Sequence, residues 1–209
     1  MTDCKLDLPI GGIVPMTTID FPGKISLVVF TQGCPWKCPY CHNRSMRSFA
    51  NKTSMSWEEI FQMLKERRDF LDAVVFSGGE PTYHDALAEA MEQIREEDFS
   101  IGLHTAGIYP EKLKRILPLV NWIGFDVKAP LDHRYDLITG MKNSAEKVRR
   151  SLKIVQKAGV DFQIRTTVDN ALLSSQDIQC LGEQLRAMNA PEPVFQPVRH
   201  PQPHFAYDS

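Results

Sequence analysis

A chain of 209 residues, 43% hydrophobic and 24% charged, has the make-up of a soluble globular protein and is long enough to bury a core without disulfide or metal staples. A formal net charge of −2 supplies no basic field, so neither nucleic acid nor an anionic membrane is an expected partner. The first residues, MTDCKLDLPIGG, lack a signal-peptide pattern, no apolar run approaches the ~20 residues that span a bilayer, and five cysteines, an odd number, fit a reducing cytoplasm better than a disulfide framework.

In chain order, short β-branched runs alternate with helical patterns. ISLVVFT (25–31) predicts a buried strand. Trp57, Ile60, Phe61 and Leu64 then recur at helical spacing, with Ser56 and Glu59 placed as a capping box. AVVFS (73–77) is the second strand, and Leu87, Met91 and Ile94 mark the next helix. SIGLHT (100–105) is the third strand, followed by a helix opened by Pro110 and running to about Leu117. WIGFDVK (122–128) is the fourth strand. Val148, Leu152 and Val155 line a helix that Gly159 ends. DFQIRTTV (161–168) is the fifth strand, Ile178, Leu181, Leu185 and Met188 line the last helix, and PVFQPV (193–198) is the sixth strand.

Regular alternation from 25 to 198 predicts a parallel sheet covered by helices, in one domain of 1–209 with a lead-in (1–24) and a loosely ordered tail (199–209). Six units are too few for a closed eight-stranded barrel. Periodicity is equally compatible with an open doubly wound sheet and a partly closed barrel. Either architecture collects chemistry on loops at the C-terminal ends of the strands. The distinctive sequences fall there: CPWKCPYC after the first strand, GGEP after the second, TAG after the third, Asp126 and Lys128 at the end of the fourth.

Cys34, Cys38 and Cys41 crowd one loop. A structural zinc site wants four protein ligands, usually in two separated pairs, and His42 directly follows Cys41. A ferredoxin cluster wants four cysteines at another spacing, and a dithiol motif leaves one thiol unexplained. A four-iron cluster held by three cysteines explains the count and leaves one iron open for a ligand. Cys180 reads as a small packing residue on its helix and Cys4 as a free thiol. Asp126 and Lys128 alternate onto one face of their strand, as do Arg165 and Thr167 on theirs, and an Arg in a strand needs a partner.

The Cys-x3-Cys-x2-Cys spacing after the first strand of a six-unit α/β chain resembles the radical S-adenosylmethionine (SAM) superfamily. The resemblance implies a partial (βα)6 barrel with the helices outside, a [4Fe-4S] cluster on Cys34, Cys38 and Cys41, and SAM bound at the open iron. It implies that Tyr40, before the last cysteine, packs near the adenine. Gly78, Gly79 and Glu80 match the family's GGE motif and would accept hydrogen bonds from SAM's ammonium. Lys128 of the D-x-K would reach SAM's carboxylate, Arg165 offers the same group a partner, and Gln196 the adenine or ribose. In some glycyl-radical activases an acidic residue after the third strand forms a cation site with the strand-four Asp. Here that place holds His104, a departure from the pattern.

GGIVPMTTIDFPGKISLVVFTQGCPWKCPYCHN (11–43), with GGEP, D-x-K and RTTV, resembles the activating proteins of anaerobic ribonucleotide reductases over about residues 11–198. That implies reductive cleavage of SAM, with an electron from a donor such as flavodoxin or ferredoxin, to a 5′-deoxyadenosyl radical that takes a hydrogen from a glycine of the reductase. Alternatives are an activase of another glycyl-radical enzyme such as pyruvate formate-lyase, a small-molecule enzyme of the 7-deazaguanine synthase type, and a non-catalytic electron carrier. A carrier needs no GGEP and prefers a fully ligated cluster.

Overall fold

The structure, a computed structural model, describes residues 6–50 and 55–198. Cys4, His200 and the tail from 199 to 209 lie outside them. One mixed sheet organises the fold, with seven strands in sequential order: β1 (Ile10–Thr17), β2 (Ser26–Thr31), β3 (Ala73–Gly78), β4 (Ser100–Thr105), β5 (Trp122–Asp126), β6 (Asp161–Val168) and β7 (Val194–Pro197). β2 to β7 are all parallel, as the alternation requires. β1 and β7 are the two outer strands of this order and are not hydrogen-bonded to each other, so the barrel is partial.

β1 was not foreseen. It runs antiparallel to β2 inside the stretch taken as a lead-in, and its GGIVPMT sequence hides it: two glycines and a proline interrupt any alternation. Proline and register shifts are tolerated because β1 is an edge strand.

The connecting helices follow their sequence signals. α1 (Trp57–Glu66) starts at the Ser56–Glu59 capping box and buries Trp57, Ile60 and Leu64. α2 (Leu87–Glu96) and α3 (Pro110–Ile116) lie where expected, and α5 (Ser144–Ala158) ends at Gly159 with φ 69°. α6 (Ser175–Ala187) carries a second capping box, Ser174 with Asp177. α4 (His133–Thr139), seven residues capped by Asp132, was not foreseen, because it is too short to show periodicity.

Alternation along the strands divides the core. Leu27, Val29, Val74, Phe76, Ile101, Leu103, Ile123 and Phe125 face the helices in one large cluster. The opposite, concave face carries a small cluster of Phe21, Val28, Ala73, Val75 and Trp122. Phe21, from the DFPG stretch, plugs the floor of the barrel. It lies 5.6 Å ring to ring from Trp122, and a Cβ at Gly102 would stand 3.0 Å from it. The lead-in thus closes the barrel from below and confines open space to the C-terminal ends of the strands.

Candidate active site

That open space is a cavity of about 240 Å³. Its walls bring together nearly all the residues singled out in the sequence: Cys34, Cys38, Tyr40 and Cys41 from the loop after β2, Gly78, Gly79 and Glu80 after β3, Asp126 and Lys128 after β5, Arg165 on β6 and Gln196 on β7. His104, Thr105, Ala106 and Ile108 complete it from β4 and the segment after it.

The cysteine loop is held by backbone. The Gly33 N–H donates to Met46 O (2.7 Å) and the Cys34 N–H to Arg47 O (3.1 Å), while the Gln32 side chain donates to Ser45 O (3.0 Å) and Ser48 O (2.6 Å). The Q-G of the FTQG run therefore fastens the returning segment beside the loop. On the other side, the Lys37 N–H donates to Thr139 O (2.8 Å) at the end of α4. Trp36, unassigned from sequence, is buried edge-on against Tyr135 of α4, with ring centroids 5.7 Å apart.

Gly78 and Gly79 have a local role that the sequence did not disclose. Their nearest neighbour is the cysteine loop itself: a Cβ at Gly78 would stand 2.5 Å from Thr31 N and O, and one at Gly79 2.1 Å from Gly33 O. In that space the Gly79 N–H donates to Thr31 O (2.9 Å) and the Glu80 N–H to Gly33 O (2.9 Å). The glycine bend and the cysteine loop are one hydrogen-bonded unit.

Glu80 braces the same unit. Its Oε1 accepts from Thr82 N (3.2 Å), Thr82 Oγ1 (2.6 Å) and Thr105 Oγ1 (2.6 Å), and its Oε2 from Ala106 N (3.0 Å). Burial pushes its carboxyl up, and these donors to the charged form oppose the rise. Oε1 is filled by protein donors, so the carboxylate chiefly joins the ends of β3 and β4.

The thiols are half-buried or buried, and none of the four described cysteines is in a disulfide. Burial, with a smaller contribution from the Glu80 charge, pushes the Cys34 thiol up to about 12. Burial also raises Cys38, against the pull of Lys128. Among the described residues no three Cys, His, Asp or Glu side chains converge on a single ion. Three cysteine thiols lining one cavity are a donor set that suits an iron–sulfur cluster.

The β5–β6 wall is ionic. Lys128 Nζ and Arg165 Nε each lie 3.0 Å from an Asp126 oxygen. Burial alone would raise the Asp126 carboxyl, but Arg165 and Lys128 hold it well below the usual carboxylate range. Burial opposes the charged Lys128, and Asp126 keeps its pKa above the ordinary lysine value. Arg165 fits beneath because Gly124 has no side chain: a Cβ there would lie 2.6 Å from the guanidinium carbon. His104 is buried, with its Nε2 2.9 Å from Asp20 O and 3.3 Å from Arg165 Nη1. Burial, then the Arg165 charge, bring it down to about 4, so it is neutral at pH 7. Asp126 thus has protein cations as its neighbours, and the wall keeps a net positive charge that an anionic group in the cavity would balance.

The fourth strand ends at Asp126, so Lys128 stands past it and not within it as expected. Its place is set by α4: the Tyr135 hydroxyl accepts from Lys128 N (3.0 Å), and the Tyr40 hydroxyl donates to Lys128 O (3.3 Å). Tyr135 was missed because it lies in an unrecognised helix. Gln196 is exposed on the cavity rim, not buried. Cys180 is half-buried, 3.2 Å from Arg134 Nη2, and not the buried packing residue expected.

Known proteins resemble this chain in sequence and in fold. The radical SAM superfamily profile matches residues 28–173. A provisionally named glycyl-radical enzyme activating enzyme of Methanocaldococcus jannaschii is 34% identical over 185 residues, covering 85% of this chain and 75% of the relative. The pyruvate formate-lyase-activating enzyme of Clostridium pasteurianum is 30% identical over 177 residues, 80% of this chain and 71% of that protein. Among solved structures, native anSMEcpe with bound AdoMet superposes with a TM-score of 0.66 at 21% identity, over 85% of this chain and 52% of that one, a likeness of fold. Among the described residues, no helix is long and apolar enough to cross a membrane.

Proposed function

The chain belongs to the radical SAM superfamily, whose enzymes use a [4Fe-4S] cluster and SAM, and we propose that it is the activase that installs a glycyl radical on an anaerobic ribonucleoside-triphosphate reductase. The observation that carries this reading is the union of the three-cysteine loop, the GGE bend and the ionic wall around one cavity. Likeness to two glycyl-radical activating enzymes supports the class of substrate. The DFPGK and CHN context favours activases without naming the substrate protein, and the resemblance over residues 11–198 to the activating proteins of anaerobic ribonucleotide reductases supports the reductase as partner. The 30% identity to a formate-lyase-activating enzyme favours pyruvate formate-lyase as the second candidate.

In this reading Cys34, Cys38 and Cys41 hold the cluster and leave one iron open. Lys128 and Arg165 offer their remaining donors to the carboxylate of SAM. The carbonyls of the Gly78–Gly79 bend face its ammonium, and Glu80 holds that bend in place. Tyr40 and Gln196 border the adenosine. Bound there, the cluster and SAM supply a carbon-centred radical able to take a hydrogen atom from a glycine Cα. The chain orients the two cofactors, and its Phe21 floor excludes solvent from below. A flavodoxin or ferredoxin in a reducing cytoplasm supplies the electron.

Electron paramagnetic resonance tests the partner. After anaerobic reconstitution, the protein, SAM and reductant are mixed separately with the ribonucleotide reductase and with formate-lyase. A glycyl doublet with the reductase is the expected result. A doublet only with formate-lyase reassigns the partner, and none with either overturns the activase.

A further inference from the structure

The charge of this chain is unevenly distributed. Between Asp20 and Glu58 there is no acidic residue, while Lys24, Lys37, Arg44, Arg47 and Lys52 give +5, so the remainder carries −7 of the net −2. Three of these cations border the cysteine loop. Lys37 lies between Cys34 and Cys38 and is exposed; Arg44, also exposed, donates to Pro39 O; Arg47 lies near enough to Cys38 to act on its thiol electrostatically. The turn after α4 packs on this loop at Gly140 (a Cβ there would be 3.4 Å from Lys37 Cβ), and it carries a fourth cation, Lys142, two residues on.

None of the four cations has a carboxylate within ion-pair distance among the described residues, although the chain pairs Arg68, Lys112, Arg134 and Arg150 elsewhere. Two carboxylates adjoin these four cations and leave them in excess. Asp136 accepts from Asn143 N (2.8 Å), Ser144 N (2.9 Å) and Ser144 Oγ (2.7 Å), and Glu146 points to solvent in the first turn of α5. Two apolar side chains are exposed here, Leu137 on α4 at 75% and Met141 in the turn after it at 37%.

We propose that this face, Lys37, Arg44, Arg47 and Lys142 around Leu137 and Met141, is the docking surface for an acidic one-electron donor protein. The proposal rests on the radical SAM reading. Lys37 and Arg44 are exposed on the loop that carries the thiols, so a donor seated here lies across that loop from the cluster. The glycyl-radical protein must instead reach the cavity mouth at the strand ends. Small interfaces steered by charge are the usual form of transient redox contacts. One electron leaves the donor and reduces the cluster, and no bond is made or broken.

The test uses reconstituted enzyme, a reduced flavodoxin as donor and dithionite as a reductant that needs no docking. Lys37→Glu/Lys142→Glu is compared with Lys157→Glu, at the far end of α5 near the N-terminal end of β6. Donor affinity and the rate of cluster reduction are measured at 50 and 300 mM salt. The double variant is expected to lose roughly tenfold or more in affinity and rate at low salt, and most of its salt dependence. Dithionite-driven 5′-deoxyadenosine formation should be unchanged, and Lys157→Glu should behave as wild type. Unaltered donor affinity in the double variant overturns the proposal. So does a defect confined to binding of the glycyl-radical protein, which would give the face to that partner. Absence of dithionite-driven cleavage in the wild type would instead sink the underlying radical SAM reading.

Discussion

The two walls of the cavity solve opposite problems. The β5–β6 wall is built on strand ends and carries its charges in an ionic cluster with one positive charge in excess: Asp126 between Lys128 and Arg165, with a neutral His104 behind. The cysteine wall is irregular loop, fastened by backbone hydrogen bonds to the GGE bend and to α4, and its reactive groups are thiols outside any disulfide. One wall is complete as folded protein and can orient a ligand. The other is built to accept something the polypeptide does not contain. Perturbations should therefore separate, with strand-wall variants altering affinity and loop-wall variants altering what the protein can hold.

The largest effect is expected for Cys34→Ala, Cys38→Ala or Cys41→Ala. Each should abolish cluster assembly, read as iron and sulfide content, while circular dichroism stays native. A full cluster in any of the three would break the assignment of the loop wall. Glu80→Ala comes next, because it leaves the Thr82 and Thr105 hydroxyls and the Ala106 N–H without an acceptor. A loss of about 2–4 kcal/mol in denaturant unfolding is expected, and an unchanged midpoint would show that the brace is dispensable.

Lys128→Ala should weaken SAM binding roughly 10- to 100-fold, the ratio that about 1.5–3 kcal/mol represents, and leave iron content intact. Calorimetric titration with SAM reads the first and metal analysis the second. Loss of both would mean that Lys128 supports folding and that the walls are not separable.

The smallest effect is a pH dependence. His104 titrates near 4 in the folded protein and at its ordinary value of 6.5 when unfolded. Protons then bind the unfolded chain first, so its contribution to stability is present above pH 6.5 and is lost as pH falls from 6.5 towards 4. Thermal unfolding between pH 7 and 4.5 should decline less steeply in His104→Gln. Parallel curves would remove His104 from the account.

The parallel sheet and its helices were legible because buried β-branched runs and capping boxes are local signals. The positions of the motifs were legible for the same reason, since parallel strands bring their C-terminal ends together. What escaped was non-local or short. β1 is disguised by Gly11, Gly12 and Pro15, and only pairing with β2 makes it a strand. α4 has two turns and no readable period, which hid Tyr135 and the seat of Lys128. The closeness of Gly79 to Gly33 and the closure of the floor by Phe21 are contacts between distant stretches. Spacing shows which residues could meet, and only packing shows that the GGE bend first serves the protein's own loop.

The central claim is that three thiolates leave one iron open to SAM. Anaerobic reconstitution of the wild type, reduction with dithionite and addition of SAM tests it most directly, by the resonance spectrum of the reduced cluster and by chromatography of the products. The account predicts a four-iron cluster whose spectrum shifts on binding SAM, and 5′-deoxyadenosine with methionine as products. An intact four-iron cluster with an unshifted spectrum and no 5′-deoxyadenosine above background would contradict it.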